Sequence, residues 1–157
     1  MTPQEVFFAL LSGQTLDISW AENILKDSAQ YAFEYSIKIK KGRFIEAENI
    51  ISKSPAWAFW YSRMILKGRF IEAEKYIQED LYYYLLYSVN ILLFYCPDKS
   101  PNSLLNNVPK NKHKLFESLE DRYQLCKKVI NKYRNEYNDP NMKYHFWDGS
   151  RAFADIH

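Results

Sequence analysis

The sequence predicts an all-α protein: a short α-solenoid of about four 26-residue helical hairpins, followed by a loop and one long capping helix. Three observations carry that reading. The octet KGRFIEAE stands at Lys41 to Glu48 and again at Lys67 to Glu74, 26 positions on. The period extends beyond the octet: AENILKDS at Ala21 to Ser28 matches AENIISKS at Ala47 to Ser54, and Tyr-Ser recurs at Tyr35, Tyr61 and Tyr87. A fixed period of this size marks stacked supersecondary units. Finally, only 4 of the 157 residues are Gly, which disfavours a turn-rich β fold.

The four units start near Pro3, Ala29, Pro55 and Leu81, the last recognisable only in its first half. Thr2, Ser28, Ser54 and Asp80 precede them, and each carries a side-chain oxygen able to accept from the unpaired N–H groups of a helix start. Pro3 and Pro55 fall at the first helical position, where a missing N–H matters least. Within the first helix of each later unit, Ala32, Tyr35, Ser36 and Ile39 lie at i, i+3, i+4 and i+7. Ala58, Tyr61, Ser62 and Ile65 repeat that stripe, as do Tyr84, Tyr87, Ser88 and Ile91. Such spacing is one face of a helix.

Gly42 and Gly68 are expected to end the first helix in the left-handed conformation, with Lys40, Lys41 and Lys67 in the last turn. The second helix follows, with acidic residues in its first turns and Ala21, Ala47 and Ala73 as small close-approach positions. The octet is thus a helix stop, a tight turn and a helix start. The first unit departs from it: Gly moves to Gly13, the loop lengthens, and Ser19 and Glu22 have capping-box spacing.

These units resemble a helical repeat of tailed bacteriophages, T4-like ones especially, and of some large DNA viruses. The likeness is carried by SPAWAFWYSRMILKGRFIEAE and, more weakly, by SAQYAFEYSIKIKKGRFIEAE, and it covers roughly the first 95 residues. The family's forms carry Pro where this chain has Ile45 and Ile71. The resemblance implies a phage-encoded accessory protein of the kind that binds and redirects or blocks host factors, defence systems included. No common activity and no site residue come with it.

After Tyr95 the register is lost. Residues 96–112 read as a loop or linker rich in Pro and Asn, and 113–157 as a long helix with an aromatic tail packed on the 1–95 repeat stack. Phe116, Leu119, Tyr123, Cys126, Ile130, Tyr133 and Tyr137 alternate at spacings of three and four, a heptad seam. That seam either packs back on the open end of the stack or joins two copies, so a monomer and a homodimer through 116–137 both remain open. Asp139 and Pro140 end the helix, and Tyr144, Phe146, Trp147 and Phe153 are apolar anchors of the tail.

Composition excludes little: the net charge is +2, too small to demand nucleic acid or an acidic membrane. Two Cys without secretory features read as reduced thiols, and Leu81 to Cys96 is too short and too rich in Tyr to span a bilayer. The expected setting is a host cytoplasm. His113, His145 and His157 are isolated, so neither a metal nor a cofactor is indicated and no catalytic residue stands out. A Cys126–His145 pair and the polar residues Asp148, Arg151, Asp155 and His157 read as packing and surface residues.

Arg43 with Glu46, and Arg69 with Glu72, are spaced to form a ladder between units. The expected function is non-enzymatic binding of a protein, with Trp57, Trp60, Arg43 and Arg69 as contact residues. The alternative is nucleic-acid binding through Lys110, Lys112, Lys114, Lys127, Lys128, Lys132 and Arg134.

Overall fold

The computed structural model describes residues 1–96, 98–107 and 113–137, with side chains throughout except at 105–107, 113–116 and 133–137. The protein is all-α; no strand occurs among the described residues. The aromatic tail after Tyr137 lies outside them, as do Lys110 and Lys112. The chain forms two compact units, Met1–Ile77 and Gln78–His157.

The first unit holds three hairpins. They are α1 (Pro3–Leu11) with α2 (Ile18–Leu25), α3 (Ala29–Tyr35) with α4 (Glu48–Ser52), and α5 (Pro55–Tyr61) with α6 (Ile71–Ile77). Consecutive hairpins touch: α3 packs on both α1 and α5, and α6 on α4. The close-approach alanines Ala21, Ala47 and Ala73 are all fully buried. Caps follow the sequence in part. Thr2 and Glu5 form the expected capping box, and Ser28 accepts from the Tyr31 N–H. Ser54 makes no side-chain cap, and α2 is capped by Asp17 rather than Ser19.

The Tyr-Ser repeat has a structural meaning that periodicity alone does not reveal. At Ser36–Lys40 and Ser62–Leu66 the helix widens from α to π. Each Ser is fully buried, and its hydroxyl donates to the carbonyl four residues back: Ser36 to Ala32 at 2.8 Å, Ser62 to Ala58 at 2.7 Å. Such back-bonding competes with the helix ladder and favours local widening. In α1 the equivalent positions are Ala9 and Leu10, and that helix stays α to its end. Of the isoleucines expected on the buried stripe, Ile39 and Ile65 are only half-buried, whereas Ile91, in the same kind of wide turn, is fully buried.

The helix stop also differs from expectation. Lys41 (φ 53°) and Lys67 (φ 50°), not the glycines after them, take the left-handed conformation. Their N–H groups, and those of Gly42 and Gly68, converge on the carbonyls of Ser36 and Ser62.

In the second unit, α7 (Leu81–Tyr87) also becomes π at Ser88–Leu92, where Ser88 donates to the Tyr84 carbonyl at 2.7 Å. Leu93 stands where the earlier units have the left-handed Lys; it stays right-handed, and the helix runs on as α8 (Leu93–Tyr95). A 3-10 segment, Pro101–Asn107, is held by Gln78 on the Leu104 carbonyl and Tyr84 on the Pro101 carbonyl. Against it and α7 lies α9 (His113–Tyr137), which buries Leu119, Tyr123, Cys126 and Ile130. This part of the heptad seam is therefore used within the chain.

Candidate functional site: the hairpin-turn edge

The turns of the second and third hairpins are each built around one buried aromatic. Phe44 and Phe70 are at most 2% exposed and pack on Tyr35 and Tyr61, with ring centroids 5.4 and 5.5 Å apart. The Phe anchors the start of the second helix, so the residues on either side of it face outward.

A polar network backs this anchor. Tyr61 donates to Glu48 at 2.9 Å, and its oxygen accepts the Phe44 N–H at 2.9 Å. Arg43 grips both oxygens of the same carboxylate, at 2.7 and 2.8 Å. The preceding unit makes a variant: Tyr35 and Lys40 both donate to Glu22, at 2.8 and 2.6 Å. In the third hairpin Arg69 holds Glu74 with two bonds, at 3.0 and 2.6 Å. Fork-to-carboxylate geometry is the strong form of this interaction.

The electrostatics follow. Burial opposes ionisation of Glu48, but its bonds from Arg43 and Tyr61 outweigh that and hold its carboxyl below the usual range. Glu22 behaves alike under Lys40 and Tyr35. Burial, then the neighbouring carboxylate, pushes the hydroxyls of Tyr35 and Tyr61 well above the ordinary tyrosine value. These tyrosines are fixed donors at neutral pH. The expected pairs Arg43–Glu46 and Arg69–Glu72 do not form: both guanidinium groups reach two residues further, to carboxylates on the buried side.

What remains at this edge is exposed and unengaged. Ile45 and Ile71 are each 64% exposed. Lys41, Lys67, Glu46 and Glu72 are also exposed and have no hydrogen-bond or ion-pair partner among the described residues. Leu11, Ile18, Trp20 and Met64, at the ends of α1, α2 and α5's wide turn, are exposed as well. Most of the large apolar residues that the first unit leaves in solvent therefore lie where its helices turn.

Of the described residues singled out by sequence, Arg43 and Arg69 stand at this edge and the others on the helices. Trp57 is half-buried and packs on Phe33; Trp60 is half-buried and packs on Phe59. Arg43 and Arg69 are at the turn edge but are consumed by Glu48 and Glu74. In the basic set, Lys128 and Lys132 are exposed and Lys127 half-buried, with Glu117 and Asp121 exposed on the same helix. Lys114 and Arg134 are in α9, with side chains outside the described set. Burial pushes the Cys126 thiol up to about 11, and His145 lies outside the described residues. No group of three or more metal-binding side chains forms among the described residues, and none of their helices is long and apolar enough to cross a membrane. Comparison with protein-family models, with curated proteins and with solved structures finds no match to this chain.

Proposed function

We propose that the protein is a non-enzymatic binding module that engages another protein through the turn edge of its hairpins. One observation carries this reading. Leu11, Ile18, Trp20, Ile45, Met64 and Ile71 are each exposed at or near the hairpin turns, while Arg43, Glu48, Arg69 and Glu74 beside the turns are engaged with one another. Exposed apolar residues grouped in this way mark interaction sites more often than scattered ones do. A solenoid of hairpins would present such an edge on a rigid support. The likeness to phage helical repeats adds an origin and a role: a phage-encoded accessory protein, acting in the host cytoplasm, that engages or inhibits a host protein, defence factors included.

The test is affinity capture from host lysate with the tagged full chain, with and without nuclease, read by mass spectrometry. A protein recovered in near-equal amount and indifferent to nuclease supports this function. Recovery of nucleoid or ribosomal proteins that disappears with nuclease replaces it with the nucleic-acid reading through α9, whose binding would also weaken steeply with salt.

A further inference from the structure

We infer that the outer face of α9 pairs antiparallel with the same face of a second copy of this chain, in a weak two-fold dimer held by ion pairs. The inference goes beyond the protein-binding function above and does not rest on it. The face lies opposite the heptad seam. At 3.6 residues per turn, the buried Leu119, Tyr123, Cys126 and Ile130 centre on one side of the helix. Glu117, Asp121, Lys128 and Lys132 centre on the other, about 180° away. All four of these charged residues are exposed, as are Gln124 and, at 43%, Leu125 between them.

Charge is segregated along this stripe. Its acidic residues stand at i and i+4 ahead of Gln124, and its basic residues at i and i+4 after Leu125. A helix facing only water gains nothing from that order, because like charges at i, i+4 repel and alternating signs would stabilise. The helix dipole favours acids at the start and bases at the end, but only within the terminal turns. Since α9 runs from His113 to Tyr137, Asp121 and Lys128 stand about two turns inside it. Glu117, Asp121 and Lys128 have no hydrogen-bond or ion-pair partner among the described residues. Glu120, beside the stripe, is by contrast used within the chain: it accepts from the Asn102 N–H and the Gln124 amide.

The order is complementary to itself. In an antiparallel pair of identical helices, each position meets the one equally far beyond the midpoint. Glu117 opposite Lys132 and Asp121 opposite Lys128 define the same midpoint, between Gln124 and Leu125. One register therefore satisfies both pairings, and two-fold symmetry repeats each of them. It also brings the exposed Leu125 beside the two-fold axis, next to its counterpart. A parallel pairing would set acid against acid and base against base. Charge order of this kind fixes partner and orientation. A second copy carries the inverted order in the matching register by construction. Exposed ion pairs contribute little each and are screened by salt, so the dimer is weak and salt-sensitive. It leaves the seam and Cys126 covered from within the chain.

The experiment is sedimentation velocity on the full chain at high protein concentration. The wild type should dimerise at about 20 mM salt and dissociate at about 0.5 M. Two reversals, Glu117→Lys/Asp121→Lys and Lys128→Glu/Lys132→Glu, should each weaken self-association at least about tenfold. An equimolar mixture of the two should form a one-to-one pair. The variant carrying all four changes has the order exchanged end for end, so it should dimerise again as the wild type does. Circular dichroism melts verify that each form is folded. A wild type that stays monomeric at low salt overturns the inference. So does a dimer that survives both reversals, or a folded four-change variant that stays monomeric, since the first places the contact elsewhere and the second denies the antiparallel register.

Discussion

The hydroxyl of Tyr61 joins two hairpins, donating to Glu48 while it accepts the backbone N–H of Phe44. Tyr35 makes only one of those bonds, to Glu22. The difference sets an order. Tyr35→Phe and Tyr61→Phe each lose a bond to a carboxylate, but Tyr61→Phe also strands the N–H of a fully buried residue, which should add about 1–3 kcal/mol to its loss. Urea unfolding of both variants checks this. Equal losses would mean that the Phe44 N–H finds water or another acceptor.

The helix stop gives a sharper test, because sequence and structure disagree about it. The periodicity assigns the left-handed residue to Gly68, and a Val there should then be strongly destabilising. The structure assigns it to Lys67, and a Cβ on Gly68 would meet only the Leu66 carbonyl, at 3.8 Å. Gly68→Ala should accordingly change stability by under about 0.5 kcal/mol, while Lys67→Val should cost about 1–2 kcal/mol. The reverse order would restore the glycine as the turning residue.

That disagreement shows which parts of the fold were legible. Helix starts, the buried Tyr and Ser positions and the hairpin repeat all follow from the 26-residue period, because caps and inward faces leave local marks in sequence. The widening at Ser36, Ser62 and Ser88 was not legible: it depends on a buried hydroxyl having no better partner than the carbonyl behind it. The two-unit division between Ile77 and Gln78 likewise reflects contacts of Gln78, Tyr84 and Tyr123 with backbone carbonyls in a segment that reads as a loop. At the candidate site, sequence reasoning weighted Trp and Arg, the usual interface residues. The structure half-buries Trp57 and Trp60 and engages both arginines, leaving Ile45 and Ile71 outward.

The Tyr–Glu networks predict limits on stability at both ends of the pH scale. Glu22 and Glu48 ionise below their ordinary 4.5 in the folded protein. Their contribution is present above about 4.5 and is lost as pH falls through the lowered folded values. Tyr35 and Tyr61 are shifted upward from 10.0. The protonated hydroxyls are favoured on folding, so that contribution is whole below pH 10.0 and declines as pH rises beyond it. Urea midpoints measured from pH 3 to 11 should form a plateau with both limbs. In the Tyr35→Phe/Tyr61→Phe variant the alkaline decline should be shallower. An identical alkaline slope in the variant would remove these tyrosines as its cause.

The heptad seam of α9 makes the last prediction. Cys126 is fully buried with Leu119, Tyr123 and Ile130, and its thiol is pushed up to about 11 by burial; Cys96 is only half-buried. Thiolate is the reactive form, so both access and acidity protect Cys126. Iodoacetamide at pH 8 should modify Cys96 first in the native protein and reach Cys126 only as the second unit opens. Because these seam residues are covered from within the chain, protection of Cys126 should not change when the protein is diluted a hundredfold. Rapid labelling of Cys126, or protection that falls on dilution, would mean instead that a second copy covers the seam.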